Sequence, residues 1–341
     1  MRVLNTLYVT SHRARISTRK GSLLINEPDG EQARVPMEAL ESVVLLGNAE
    51  VTSPAMAACT KRGIRLTSLT RSGRIRYRVV GASSGNVTLR ISQLEASTHD
   101  PASDMIARSV VAGKLQNSRT MISRWLWDAD TWQRNHLEQR RQQVTDSLQR
   151  LAGASTGDRI RGIEGDAARS YFRALSLALH STPFPFSARV RRPPRDPVNA
   201  LLSFTYSLVT GEAAGALEAV GLDPQIGFLH RVRTGRPSLA LDLVEELRPA
   251  HADRFCVRML RRRELDPETH FTLTPGGACH LTDDGRKQVL QRYEQFRDEE
   301  VNHRLLGRSV PRWSLPQIQA TLLARHLRGD LPEYPPYLAA A

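Results

Sequence analysis

RPPRDPVNALLSFTYSLV (residues 192–209) contains the segment that decides the fold class. Within it, residues 199–209 repeat hydrophobic side chains at a helical spacing of about 3.6 residues. The same period recurs in 105–127, 167–179 and 317–327. The larger, C-terminal part of the chain is therefore predicted to be mostly α-helical.

The first 96 residues follow a different pattern. Short β-branched runs alternate with turn sequences, which is typical of an all-β module. The runs are 7–10, 22–25, 33–35, 42–47, 64–69 and 74–80, with turns such as RSG (71–73) and SSGN (83–86). One helix is predicted to interrupt the strands, because Pro54 suits a first helical position and Gly63 suits a helix end.

The two patterns are separated by EASTHDPASD (95–104), which is polar and contains Pro101. We therefore predict an α+β two-domain protein. Its regions are a β-rich domain (1–96), a linker (97–104), a helical domain (105–330) and a flexible tail (331–341). One small hairpin is predicted within the helical domain at FTLTPGGACHL (271–281), around Gly276-Gly277.

The chain is strongly basic, with 48 Lys and Arg against 35 Asp and Glu and a net charge of +13. Arginine supplies nearly all of this charge, and its planar guanidinium can hold phosphate oxygens with two hydrogen bonds. A nucleic-acid partner and a merely solvated surface explain the composition equally well.

Membrane and secreted classes do not fit the sequence. No stretch approaches the ~20 apolar residues that cross a bilayer, and the N-terminus lacks the apolar core of a secretory signal. The three cysteines are scattered and form no CxxC pair. We expect a cytoplasmic protein with no membrane partner.

Three segments carry candidate metal ligands. Glu164 precedes an apolar helical stripe, where a buried carboxylate needs a counter-charge, although a solvated helix start explains it too. His230 ends GFLH and precedes a basic loop. Asp242 and Glu245 lie one turn apart in PSLALDLVEELRP (237–249), where an acidic solvated face is the ordinary interpretation. Together they could form an oxygen-rich Mg²⁺ or Mn²⁺ site, but spacing does not establish that they converge.

Two arginine clusters could follow a DNA backbone, or could simply keep the surface soluble. A nuclease needs such charge to offset the repulsion between its carboxylates and phosphates. The candidate DNA-binding residues are Arg189, Arg191, Arg192, Arg195, Arg258 and Arg262.

Read together, these blocks resemble the CRISPR-associated integrase family. Residues 196–209 are similar to its DPxNAxLSFxYxLL helix. The other matching blocks are KLQN (114–117), IEGDAARSYF (163–172), GFLH (227–230), the D-x-x-(D/E) helix and GRKQVLQRYE (285–294). The resemblance covers essentially the whole chain, and LALDLVEELRP resembles the type I-C branch.

The resemblance implies the chemistry. Glu164, His230 and Glu245 would be the catalytic metal ligands, with Asp242 as an auxiliary, although many members have Asp where this chain has Glu245. A 3′-hydroxyl of incoming DNA would attack a phosphodiester at the repeat boundary of a CRISPR array. With water as the nucleophile, the same site would act as an endonuclease.

The resemblance also implies an assembly. The N-terminal domain would be β-sandwich-like and dimerise, and the helical domain would hold Mg²⁺ or Mn²⁺. Two dimers would flank a dimer of a small ferredoxin-like second subunit on double-stranded prespacer and leader-repeat DNA. A catalytically silent DNA-binding scaffold and a transposon-encoded integrase are the alternatives, and retention of all three ligands disfavours the scaffold.

Overall fold

The computed structural model describes residues 5–11, 13–28, 30, 32–70, 75–81 and 87–340. The chain divides into two compact units. The first comprises Met1–Ser84 and Asp283–Glu294, and the second comprises Gly85–Thr282 and Gln295–Ala341. The fold class is confirmed, because the N-terminal region is β-rich and the larger C-terminal region is helical.

The first unit contains two four-stranded sheets and one helix. Its elements are β1 (Asn5–Val9), β2 (Arg15–Arg19), β3 (Ser22–Asn26), β4 (Gln32–Pro36), β5 (Leu40–Leu46), β6 (Glu50–Val51), α1 (Ser53–Lys61), β7 (Arg65–Leu69) and β8 (Ile75–Val79). The sheet orders are β1-β5-β7-β8 and β4-β3-β2-β6. Buried residues of both sheets, such as Ile16, Leu23, Val43 and Leu66, share one core.

Local sequence explains the turns of this unit. Lys20 and Gly21, between β2 and β3, both have positive φ angles, of 47° and 73°, as a tight hairpin turn requires. The predicted helix is present as α1, and Gly63 follows it at φ 70°. Strand β2 was missed in the sequence because only Ile16 of its RISTR is buried. The predicted turns at 71–73 and 83–86 lie outside the described residues.

The second unit is built mainly from helices. They are α2 (Val87–Thr98), α3 (Asp100–Trp125), α4 (Thr131–Ala152), α5 (Gly157–Ala178), α6 (Pro197–Val220), α7 (Ser238–Leu247), α8 (Arg254–Arg261) and α10 (Leu315–Leu327), with α9 (Asp283–Asp298) shared between the units. Two antiparallel hairpins accompany them: β9 (Phe271–Leu273) with β10 (Cys279–Leu281), and β11 (Glu300–His303) with β12 (Arg308–Pro311). The first of these is the hairpin expected at 271–281.

Helix α6, which contains the segment quoted first, is largely buried in this unit. Asp196 caps its start by accepting a hydrogen bond from Asn199 N at 2.8 Å, and Gly221 ends it at φ 92°. Its buried residues cover most of its circumference, as in a core helix. Helices α6 and α3 both pack against α7, and α3 also packs against α5. None of the described helices is long and apolar enough to span a bilayer.

The boundary between the regions differs from the prediction. The N-terminal part of the first unit ends at Ser84. Residues 97–104 are helical rather than a linker, because all but His99 belong to α2 or α3. Pro101 stands in the first turn of α3, where proline is compatible with a helix because its missing N–H would have no partner there. The proline taken as a sign of a linker therefore begins a helix.

The segment predicted to be a flexible tail (331–341) packs onto the helices of the second unit over its described part. Tyr334 and Tyr337 are buried, and Tyr337 N donates to Glu246 Oε2 at 3.0 Å. Ala339 N donates to Asn117 Oδ1 at 2.8 Å. Two aromatic rings and buried acceptors hold the segment in place despite its three prolines.

Candidate active site

Three helices bring charged side chains to one place. Glu164 lies two turns into α5, Glu245 lies on α7, and Lys114 lies on α3, which packs against both. The side chain of Glu164 is 23% exposed and that of Glu245 is 3% exposed. The site is thus buried at α7 and open to solvent on the α5 side.

The ammonium group of Lys114 contacts both carboxylates. It forms an ion pair with Glu164, and its Nζ lies 2.6 Å from Glu245 Oε2. Burial disfavours the charged ammonium, but the charges of Glu245 and Glu164 outweigh it and raise the pKa of Lys114 above its ordinary value. The ammonium is therefore charged at neutral pH.

A second cation reaches Glu245 from its own helix end. Arg248 Nη1 lies 2.7 Å from Glu245 Oε1. Burial alone would raise the pKa of the Glu245 carboxyl, but the charges of Arg248 and Lys114 lower it well below its usual range. Glu245 is therefore an ionised carboxylate in a buried position, which is the form that binds a cation.

His230 reaches the same site from the loop before α7. Its Nε2 lies 3.8 Å from Glu245 Oε1, and its Nδ1 lies 2.6 Å from Asp242 Oδ1. The Nδ1 contact with Asp242 holds the ring so that Nε2 faces Glu245. Asp242 thereby fixes the orientation of the His230 ring.

Asp242 also holds the backbone of the GFLH loop. Its Oδ2 accepts from Phe228 N at 2.6 Å and from Leu229 N at 3.0 Å, and its Oδ1 accepts from His230 N at 3.0 Å. A Cβ at Gly227 would lie 2.8 Å from Asp242 Oδ2. The glycine of this motif therefore allows the loop to approach the carboxylate closely.

The acidic solvated face considered for 237–249 is wrong. Asp242, Glu245 and Glu246 are 1%, 2% and 0% exposed. Each finds different partners: the GFLH loop, the two cations, and the C-terminal segment. Burial raises the pKa of Glu246 to about 8, although Tyr334 and Gln319 donate hydrogen bonds to it. Asp242 already accepts four hydrogen bonds, so Glu245 is the acid of this helix that faces the site.

The donor set fits a divalent cation in its chemistry. Two carboxylates and an imidazole held by Asp242 are ligands suited to Mg²⁺ or Mn²⁺. In the part of the chain that the structure describes, no group of three His, Cys, Asp or Glu side chains is arranged to hold a metal ion. The Lys114 ammonium lies between the two glutamates and contacts both.

Sequence comparison provides the family. A profile described as CRISPR associated protein Cas1 matches residues 7–295. A "CRISPR-associated endonuclease Cas1 2" of Rhodospirillum rubrum is 44% identical over 349 aligned residues, which cover 98% of both chains. The chain belongs to the Cas1 family. The expected family is thus confirmed, while the type I-C branch stays a prediction.

Solved structures share the fold of this Cas1-family chain. A casposase bound to integration product matches with a TM-score of 0.82 at 20% identity, over 97% of this chain and 92% of that one. A Cas6-RT-Cas1–Cas2 complex matches with a TM-score of 0.82 at 21% identity, over 99% of this chain and 36% of that one. At these identities, both similarities show a shared fold and nothing further.

The candidate DNA-binding arginines fall into two groups. Arg189 donates to Asn199 and Ser203, and Arg258 pairs with Glu299, so both have partners within the protein. Those exposed to solvent are Arg191, Arg192, Arg195 and Arg262.

Two of the exposed arginines, Arg191 and Arg192, act electrostatically on Arg236. Burial, followed by the charge of Arg233, lowers the pKa of Arg236, with smaller contributions from Arg192 and Arg191. The charge of Asp242 acts on Arg236 in the opposite direction. Arg191, Arg192, Arg233 and Arg236, whose charges interact, are called the loop arginines below.

Several residues that the structure places in the site had been assigned no role in the sequence analysis. Lys114 appeared only within the KLQN block, and nothing in its spacing placed it between two glutamates. Arg248 could have been found, because it follows Glu245 by three residues on one helical face. Arg248 also lies over the Tyr206 ring at 4.7 Å, and Tyr206 donates to Asp253 at 2.5 Å. That chain of contacts extends the site towards α6.

Proposed function

We propose that this Cas1-family chain is a divalent-metal-dependent DNA integrase and endonuclease of CRISPR adaptation. The observation that carries the proposal is the meeting of Glu164, His230 and Glu245 from three separate segments, with Asp242 orienting the histidine. A scaffold without activity has no need of this arrangement. The names of the endonuclease relative and of the casposase bound to its integration product support the same activity.

Each residue has a distinct part in the proposed reaction. Glu164, His230 Nε2 and Glu245 would hold Mg²⁺ or Mn²⁺, which would orient the phosphodiester and neutralise charge developing on its oxygens. Asp242 keeps His230 in position, and Arg248 keeps Glu245 ionised.

The loop arginines would hold the DNA backbone next to the site, because guanidinium groups bind phosphate oxygens strongly. The substrates are double-stranded prespacer DNA and the leader-repeat. A 3′-hydroxyl displaces the strand at the repeat boundary, or water cuts the phosphodiester.

The proposed assembly follows the family. The β-rich unit forms a homodimer, and two dimers flank a dimer of a small ferredoxin-like subunit. The Cas1–Cas2 complex among the structures of the same fold supports such a partner.

An integration assay tests the proposal. The purified chain, its partner subunit, a prespacer and a leader-repeat plasmid are incubated with Mg²⁺ or Mn²⁺. We expect site-specific integration by the wild-type chain. Glu164→Ala should abolish both integration and its reverse reaction on branched DNA. Asp166→Asn is the matched control, because Asp166 lies on the same helix but pairs with the exposed Arg150 and Arg169. Wild-type rates in Glu164→Ala would refute the ligand assignment.

The transposon-encoded alternative predicts a different substrate. Such an enzyme would integrate terminal repeats of its own element and would show no preference for the leader-repeat boundary. Mapping of integration junctions in the same assay separates the two functions.

A further inference from the structure

Lys114 is a buried cation between two carboxylates. Its side chain is 7% exposed, and it contacts Glu164 of α5 and Glu245 of α7 from its own position on α3. An ammonium group in this position needs both partners, since an unpaired buried charge is strongly destabilising. The reverse also holds, because the two glutamates lie close together and repel each other without it.

The backbone that carries Lys114 is firmly held. Ser118 donates to Lys114 O at 2.8 Å, and Asn117 donates to Glu246 O and to Tyr337 O, both at 2.8 Å. The side chain, in contrast, is a flexible four-carbon stem with a compact ammonium end. Movement of the ammonium therefore requires rotation of the side chain and no shift of α3.

We propose that Lys114 is a built-in counter-cation that competes with the divalent ion for Glu164 and Glu245. Without the ion, Lys114 stabilises the pair of carboxylates and keeps the site assembled. With the ion, the ammonium must give up contacts to the same oxygens, and this exchange weakens metal affinity. Lys114 is thus a positioning residue that sets the metal concentration at which the site is filled. The inference rests on the proposed metal dependence.

Neutralisation of the ammonium without loss of side-chain length tests the inference. Lys114→Met removes the charge, and Lys114→Arg keeps it with a bulkier head group. Arg231→Met is the control, because it removes one positive charge next to His230 from an exposed residue that pairs with Asp158. Calorimetric titration with Mn²⁺ gives the affinity, and thermal unfolding in EDTA gives the stability of the metal-free protein.

We expect Lys114→Met to bind Mn²⁺ at least tenfold more tightly than wild type and to unfold at a lower temperature in EDTA. Mn²⁺ should then raise its unfolding temperature by more than it raises that of wild type. Lys114→Arg should bind no more tightly than wild type, and Arg231→Met should change affinity less than threefold.

Three outcomes would overturn the inference. One is equal or weaker Mn²⁺ binding by a folded Lys114→Met protein, and another is an equal gain in Arg231→Met. If Lys114→Met does not fold, tighter binding by Lys114→Arg would contradict competition by a retained charge. If no variant binds Mn²⁺, wild type included, the proposed metal dependence itself is refuted. If wild type binds Mn²⁺ and Lys114→Met binds it no more tightly, only the competition is refuted.

Discussion

Replacement of Asp242 by asparagine is the most informative single change in the GFLH loop. The two Asp242 oxygens accept from four donors: Phe228 N, Leu229 N, His230 N and His230 Nδ1. Asparagine keeps one acceptor oxygen and replaces the other with an NH₂ group. In either orientation of the asparagine amide, its NH₂ group faces two of the four donors, and those two donors then have no acceptor.

The structure sets the size of the effect. A buried donor without a partner costs about 1–3 kcal/mol, so two of them should destabilise the protein by roughly 3 kcal/mol. A loss of that size lowers the unfolding temperature by about 6–12 °C in a unit of a few hundred residues. His230 is then held less firmly, and loss of such a supporting contact typically weakens metal binding about 10–100-fold.

Calorimetric titration with Mn²⁺ and thermal unfolding measure both effects. Asp242→Asn should bind Mn²⁺ weakly and integrate DNA slowly, whereas Glu245→Gln should lose metal binding and nearly all activity. Asp158→Asn, at an exposed acid, is the control for the charge change. If Asp242→Asn loses the metal while Glu245→Gln keeps it, the assignment is reversed: Asp242 is then the metal ligand and Glu245 is the supporting acid.

Further predictions follow from other parts of the second unit. Neutralisation of Arg191 and Arg192 should make the slope of log K for DNA against log salt shallower by up to about 2, and an unchanged slope would exclude both from the DNA track. Glu245→Asp should keep partial activity but weaker Mn²⁺ affinity, because the shorter arm withdraws from Lys114 and Arg248; full activity would contradict this. Burial raises the pKa of Asp253 from 3.8 to about 6. The protonated carboxyl of Asp253 therefore stabilises the folded protein fully below pH 3.8, and this stabilisation is lost as the pH rises through 6. Urea unfolding should show a loss of about 3 kcal/mol over this range, at 1.36 kcal/mol per pKa unit, that Asp253→Asn lacks.

The fold was predictable wherever local sequence and burial agree. The apolar period at 199–209 correctly predicted helix α6, whose observed ends are an Asp196 cap and Gly221. The tail was not predictable, because its prolines indicate a loose segment while burial of Tyr334 depends on Glu246 and Gln319, which are remote in sequence. Pro101 was misread for a related reason, since a proline ends one element or begins the next, and its neighbours decide which.

The site was only partly predictable from the residues. Glu164, His230 and Glu245 have no mutual spacing that reveals their convergence, and the family resemblance supplied it. The roles of the two acids on α7 follow from hydrogen bonds that a sequence does not contain, because only the folded GFLH loop shows which carboxylate is already satisfied. Lys114 required the packing of α3 between α5 and α7.

The C-terminal segment has a practical consequence for handling the protein. Its attachment points are Glu246, next to Glu245 in the chain, and Asn117, one helical turn from Lys114. Pro336 also packs so closely on Gly113 that a Cβ there would lie 2.6 Å from it. Proteolytic trimming after Glu333 would uncover a buried carboxyl and a buried amide on the two helices that carry Glu245 and Lys114. A preparation shortened after Glu333 should therefore lose activity with every site residue intact.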